Sequence, residues 1–290
     1  MISQKMLAFA VAACSAVAGG GCLSSTSTTS DSGTTSPPPS GEGGTSGASE
    51  GGGGGPMTVP IPPDPNGYVG PSTNSLGIVG AWYGYGDDWG TNGAPPGDCQ
   101  TKGMHMQSQC SSISFPPAAM AGADGGFAAT FPQTTPGSMC LSGTAAQVVG
   151  GDYTTIFGIG IGFDFNNVGG TKLPYKASDN KVVGFSFHIS GVPAGAGIRV
   201  ELPTPDTDPS GDSWSRTITM DGDYTMDLNT MASDPNSLKP SFSMSAMQPS
   251  FDPNKIESIQ FHIATNTMAA IMVPDSSRLC VSNLAALVSP

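Results

Sequence analysis

Basic side chains are scarce in this 290-residue chain. Lys and Arg total 10 against 22 Asp and Glu, a formal net charge of −12. A nucleic-acid partner needs a basic surface to neutralise phosphates, so that partner class is excluded. Charged residues of both signs make up 11% and aromatics 7%. Helical bundles and coiled coils need runs of Ala, Glu, Lys and Leu with few Gly and Pro, and here Gly is 41 and Pro 26. The glycines follow no three-residue period, which excludes a collagen helix. Catalytic signatures are absent as well: there is no GxSxG elbow, no HExxH and no P-loop. Gly158-Ile-Gly-Ile-Gly is strand-like and lacks the third position of a dinucleotide fingerprint. Glu201 and Glu257 are the only glutamates after the N-terminal tract, and no carboxylate pair stands in an apolar setting. The reading leans away from an enzyme. What is present is a Gly/Pro/Ser/Thr-rich chain that reads as all-β and exported.

Residues 1–21 read as a signal peptide. Met1–Lys5 is a short n-region, and Met6–Ala18 is an apolar stretch broken by Cys14 and Ser15. A bilayer span takes about 20 apolar residues, so this segment is too short to cross. Gly19-Gly20-Gly21 then precede Cys22, and small residues after an h-region suit a signal peptidase. A cysteine in that place resembles the lipobox of bacterial lipoproteins, which implies a lipid on Cys22 and a membrane anchor. The pattern departs from the family at Gly19, where Leu or Val is usual. Val11-Ala12-Ala13-Cys14 is the alternative, with a very short h-region. The implied location is the cell envelope, at the outer membrane or cell surface.

Residues 22–66 read as a disordered tether. Ser24–Gly55 has no aromatic and a single apolar side chain, Ala48, so it cannot bury enough surface to offset the entropy of ordering it. A flexible chain between Cys22 and Gly67 spans roughly 35–40 Å, and a Pro-rich stretch runs through Pro56–Pro65.

Residues 67–290 read as one domain of strands. Phe185, Phe187 and Ile189 alternate with Ser186 and His188, and Ile198, Val200 and Leu202 with Arg199 and Glu201. Ile259, Phe261 and Ile263 alternate with Gln260 and His262, and Ile159, Ile161, Phe163 and Phe165 with Gly160, Gly162 and Asp164. Such a period of two marks half-buried strands. Further strands are expected at Ile78–Tyr85, Phe127–Phe131, Leu141–Val149, Trp214–Met220, Tyr224–Leu228 and Leu279–Leu287. Asp/Pro/Gly turns separate them. Many short strands without helices indicate a sandwich of two antiparallel sheets. Besides Cys14 and Cys22 four cysteines remain, which suits two disulfides in an oxidising compartment. Three pairings exist. Cys99–Cys110 closes a polar, turn-rich segment, and Cys140–Cys280 joins the starts of two expected strands.

The runs Cys140-Leu-Ser-Gly-Thr-Ala-Ala-Gln-Val-Val, Ile159-Gly-Ile-Gly-Phe-Asp-Phe and Val183-Gly-Phe-Ser-Phe-His-Ile carry a familiar rhythm. Ile198-Arg-Val-Glu-Leu-Pro, Ile256-Glu-Ser-Ile-Gln-Phe-His-Ile and Leu279-Cys-Val-Ser-Asn-Leu continue it. Over Leu76–Leu287 the chain resembles the galactose-binding-like jelly rolls, which include many carbohydrate-binding modules of secreted bacterial proteins. The resemblance rests on strand order rather than a signature motif. It implies a jelly-roll fold and a polysaccharide or glycoconjugate ligand. In such modules the last strand often carries an acidic pair for a structural calcium, where this chain has Ser282-Asn283.

Three groups of residues are candidates for binding. If the apolar positions face the core, Ser186, His188, Arg199, Glu201, Gln260 and His262 share one polar sheet face, suited to hydrogen-bonding sugar hydroxyls. The same face permits a His188/Glu201/His262 metal site. The segment Trp82-Tyr83-Gly84-Tyr85-Gly86-Asp87-Asp88-Trp89 offers aromatic faces for sugar C–H faces, with Tyr85, Asp88 and Trp89 as ligand-facing members and Trp82 as core. Trp214 is a third platform, or else packs at a strand start. Asp206, Asp208 and Asp212, and again Asp221, Asp223 and Asp227, have the spacing D-x-D-x₃-D. Clustered oxygens suit calcium, which takes 6–8 of them, although neither loop matches an EF-hand. No cofactor is required by this reading. The expected function is non-catalytic carbohydrate binding. The alternatives are a structural or adhesive lipoprotein that binds a protein, and a glycoside hydrolase on the same scaffold.

Overall fold

In the computed structural model the described residues are 55–64, 67–89, 96–114, 137–207, 211–231, 233–241 and 249–290. The expected signal peptide, Cys14, Cys22, most of the tether, the Phe127–Phe131 strand and Asp208 lie outside them.

Strands β1 (Met57–Pro60), β2 (Tyr68–Val69), β3 (Gly80–Gly86) and β4 (Ser112–Ser114) come first. Then follow β5 (Ser138–Ala145), β6 (Gly158–Asp164), β7 (Asn167–Val168) and β8 (Thr171–Lys172). Next are β9 (Val182–Ser190), β10 (Ile198–Leu202), β11 (Trp214–Ile218) and β12 (Gly222–Asp227). The last are β13 (Lys239–Pro240), β14 (Ser258–Ala264), β15 (Ile271–Val273) and β16 (Leu279–Val288). Among the described residues, one four-residue α-helical turn, α1 (Asp98–Thr101), and four short 3₁₀ turns interrupt them.

Two antiparallel sheets of seven strands each form a jelly-roll sandwich. Sheet 1 runs β12-β9-β16-β5-β15, with β1 also on β16 and β4 on β5. Sheet 2 runs β13-β11-β10-β14-β6-β3-β2. The alternation read from the sequence sets the two faces of each strand. Phe185, Phe187 and Ile189 turn inward from sheet 1, and Trp82, Ile161, Phe163 and Phe261 from sheet 2. The layers meet where Phe187 sets its edge on Phe261, 5.1 Å between centroids. Phe165 stacks on Phe185 at 4.7 Å.

Two points differ from the sequence reading. The domain starts before Gly67: Met57–Pro60 pairs with Val288–Ala285 of β16, and Ile61 is buried. Val59 and Ile61 supply the apolar positions that let this Pro-rich piece join the sheet edge. More consequentially, β9 pairs with β12 and β16 whereas β10 pairs with β11 and β14. Ser186 and His188 therefore project from sheet 1, and Arg199, Glu201, Gln260 and His262 from sheet 2. The six do not share one face.

Both disulfides have the expected partners. Cys99–Cys110 closes the segment around α1. Cys140 and Cys280 face each other in the β5/β16 ladder.

Candidate functional site

The outer face of sheet 2 is built by register. Arg199 stands opposite His262, and Glu201 opposite Gln260. One strand further, His262 faces Gly160 and Gln260 faces Gly162. Those glycines face Tyr85 and Tyr83 of β3. The glycines are there for space. A Cβ on Gly160 would lie 2.4 Å from Tyr85 Cζ, and one on Gly162 2.3 Å from Tyr83 Cζ. The two tyrosine rings thus lie over β6, 6.1 Å apart and tilted by 47° to one another. Gln260 Nε2 donates to the Tyr83 hydroxyl at 3.0 Å. Tyr85 continues the platform to His262, 5.7 Å between ring centroids.

Charge is concentrated at the His262 end. Glu201 is buried, and Arg199 Nε lies 3.2 Å from its Oε1. His262 Nδ1 lies 3.3 Å from Glu201 and 3.3 Å from Arg199 Nη2. The other ring nitrogen, Nε2, donates to the Phe157 carbonyl at 2.9 Å. A neutral ring accepts at Nδ1 from Arg199, and a protonated ring donates there to Glu201. Burial alone pushes the Glu201 carboxyl up. The charge and hydrogen bond of His262, the Arg199 charge and the Ser241 hydroxyl outweigh it and hold the carboxyl below its ordinary value. Burial, followed by the Glu201 charge, pushes the Tyr85 hydroxyl well above its usual range. That hydroxyl is buried and has no hydrogen-bond partner among the described residues.

Beside this cluster opens a cavity of about 430 Å³. Arg199, Thr217 and His262 line it from the sheet, Tyr153 and Phe157 from the loop before β6, and Asn266, Met268 and Ile271 from the segment leading to β15. Tyr153 and Met268 are exposed. Aromatic faces, a guanidinium, an amide and hydroxyls converge on one space, of the size of small-ligand pockets.

The structure therefore brings together Arg199, Glu201, Gln260, His262 and Tyr85. It does not bring the other candidates to this face. His188 pairs with Asp223 at 2.8 Å on sheet 1, so the His188/Glu201/His262 metal set does not form. Asp88 and Trp89 follow the end of β3. Asp88 is 3% exposed, and burial, then the Asp87 charge, pushes its carboxyl up to about 7. Trp214 packs at its strand start, donating Nε1–H to the Pro249 carbonyl at 3.0 Å with Phe251 against its ring. In the proposed calcium loop Asp206 pairs with Lys255 at 2.7 Å and Asp212 is buried. Asp87, Cys99 and Cys110 also approach one another closely, but both sulfurs are spent in the disulfide. Asp87 instead ties β3 to its surroundings, accepting from Ser111 N at 2.7 Å and Gly158 N at 2.8 Å.

Sequence reasoning missed Tyr83, Tyr153, Phe157 and Ser241. For Tyr83 the signal was present, because it alternates with Trp82 and Gly84 as Tyr85 does. The loop residues carried no periodic signal.

No protein-family model matches this chain, and no curated protein matches it. Among solved structures it is similar to the family 11 carbohydrate-binding module from Clostridium thermocellum in complex with a β-1,3-1,4-mixed-linked tetrasaccharide. That similarity has 15% identity and a TM-score of 0.37, over 72% of this chain and 89% of that one. It is also similar to the family 11 module of a cellulosomal cellulase of Clostridium thermocellum, at 15% identity and a TM-score of 0.35, over 71% and 87% of the two chains. With an agarase the identity is 12% and the TM-score 0.32, and the chain covers 23% of that protein's length.

Proposed function

We propose that this chain is a non-catalytic carbohydrate-binding protein whose ligand enters the cavity beside Arg199 and His262. The observation that carries the reading is the convergence at that cavity. Exposed Tyr153 and the Phe157 ring flank it, and Arg199 is held in place by a buried carboxylate. Aromatic rings suit the C–H faces of a pyranose. Guanidinium, imidazole, amide and hydroxyl groups offer the donors and acceptors that its hydroxyls need.

Catalysis is not part of the proposal. A glycosidase acid must hold its proton near neutrality, and the neighbours of Glu201 favour its ionised form. The location proposed for the protein is outside the cell, on a lipid at Cys22. Two disulfides suit that compartment.

The test is affinity electrophoresis of the folded protein in gels containing soluble polysaccharides of neutral and acidic type. At least one is expected to retard the protein, and Arg199→Ala to reduce the retardation about tenfold or more, since a charged hydrogen bond is lost. Normal mobility in every gel would rule the proposal out.

A further inference from the structure

The hairpin that follows β6 holds a lysine, an asparagine and a buried aspartate that carbohydrate binding does not use. β7 and β8 pair with each other as a two-stranded ribbon. Gly169 and Gly170 connect them at φ of 61° and 82°, the left-handed pair that a tight two-residue hairpin turn requires. The turn fixes the register, with Val168 opposite Thr171 and Asn167 opposite Lys172. The foot of the hairpin is tied down as well. Asn167 N–H donates to the Val79 carbonyl at 2.7 Å, and Leu173 N–H to the Asn166 carbonyl at 2.8 Å. Residues directly opposite in such a ladder point to the same side, with Cβ atoms about 5 Å apart.

Both side chains reach one carboxylate. Asn167 Nδ2 donates to Asp164 Oδ2 at 2.8 Å, and Lys172 Nζ lies 3.6 Å from Asp164 Oδ1. The Asp164 side chain is only 4% exposed, and its Oδ1 is buried without a hydrogen bond of ordinary length among the described residues. Burial pushes this carboxyl above its ordinary value, although the Lys172 charge and the polar contacts of Asn167, Lys172 and Tyr83 pull it down. A carboxyl in such a place takes up and returns a proton readily. The half-buried Lys172 places Nζ 5.6 Å from the centroid of the Tyr83 ring, whose face attracts a cation and so holds the amine at this end of sheet 2.

We propose that Lys172 and Asn167 form an isopeptide cross-link, with Asp164 as the group that carries the proton. Lys172 Nζ gives a proton to Asp164 Oδ1 and attacks Asn167 Cγ as a nucleophilic amine. The Nζ–Cγ bond forms and the Cγ–Nδ2 bond breaks, while Asp164 returns the proton through Oδ2 to the departing Nδ2. Of the three hydrogens on the Lys172 ammonium, one stays on the new amide nitrogen. The other two join the two on Nδ2 and leave as ammonium. Atoms and charge balance with no oxidant and no co-reactant. The product chain from Cβ to Cβ is long enough to span the two strands as they stand. Thiols exchange with disulfides but do not cut an amide, so this clamp survives reducing conditions that open Cys99–Cys110 and Cys140–Cys280.

The test is peptide mapping by mass spectrometry of the full chain after reduction and trypsin digestion. Asn167 and Lys172 are expected in one peptide that is uncut after Lys172 and lighter than its sequence by one ammonia, about 17 Da. Backbone fragments ending between the two residues should be missing. Lys172→Arg keeps a cation at the site, but a guanidinium holds its proton and does not attack, so its peptide should have full mass. Asp164→Ala removes the proton carrier, and its peptide should have full mass and be cut after Lys172. If that variant does not fold, Lys172→Arg carries the test. A parent peptide of full mass that is cut after Lys172 would overturn the proposal. So would an ammonia loss that persists in Lys172→Arg, the mark of an asparagine succinimide, or one that persists in Asp164→Ala.

Discussion

Asp88 and Glu201 are buried acids whose surroundings act in opposite directions. Burial, then the Asp87 charge, raises the Asp88 carboxyl to about 7; an unfolded aspartate sits at about 3.9. Between those values the folded chain keeps a proton that the unfolded chain has lost. The Asp88 contribution is therefore greatest below about pH 4 and declines as pH rises towards 7. Asp88→Asn should flatten this part of the stability curve and raise the unfolding temperature at pH 8. Unfolding curves between pH 4 and 8 that decline equally in both proteins would remove Asp88 as the cause. Glu201 has the reverse sign. Its carboxyl is lowered by His262, Arg199 and Ser241 against the opposing effect of burial. Its contribution is complete above the unfolded value and is lost as pH falls through the folded one. Glu201→Gln should cost stability at pH 7, and the gap to the parent protein should narrow as the pH falls towards 3. A gap constant across that range would contradict the ion cluster.

Strand β6 and the two disulfides show how elements fix the site. Tyr83 and Tyr85 lie over Gly162 and Gly160, where a Cβ would come within 2.3 and 2.4 Å of their ring carbons. Gly162→Ala should lift the Tyr83 ring off Gln260 and cost about 1–3 kcal/mol, measured by denaturant unfolding; a neutral effect would mean the ring moves freely. The Cys140–Cys280 bridge closes a separation of 140 residues and Cys99–Cys110 one of 11. On the loop-entropy model their removal costs about 5 and about 3 kcal/mol, so the Cys140→Ala/Cys280→Ala double variant should unfold at the lower temperature of the two. Equal losses would point to native-state contacts in place of loop closure. The strands at Phe185–Ile189, Ile198–Leu202 and Ile259–Ile263 were legible in the sequence because alternation reports which side of a pleat a residue occupies. Alternation does not report which sheet a strand joins. That is why Ser186 and His188 parted from Arg199, Glu201, Gln260 and His262: the turn Gly191–Gly197 hands the chain from one layer to the other, and pairing across the layers is decided by packing. The bulge at Asn283, where β16 shifts register against β9 between Ser282 and Ala285, left a trace that was not read: Ser282-Asn283 places two polar residues in succession and so breaks the period of two.

At the scale of the molecule, the described residues bury a large core between the two sheets and a smaller cluster of Cys99, Cys110, Ala146, Val148 and Ile156, and each sheet presents a polar outer face. The net charge of −12 acts over the whole surface and disfavours strongly anionic ligands away from Arg199. The site was only half legible. Its charged members lie on strands, whereas its walls come from Tyr153, Phe157 and Met268 on loops, whose positions follow from the closed fold. Those loop side chains also allow the binding face to be read out. Hydroxyl-radical footprinting should be run with and without the polysaccharide that most retards the protein. Protection is expected at Met268 and Tyr153, exposed at 85% and 46%, with Met220 and Met231 oxidised as before. Unchanged oxidation of Met268 and Tyr153 at saturating polysaccharide would contradict carbohydrate binding at the Arg199–His262 cavity.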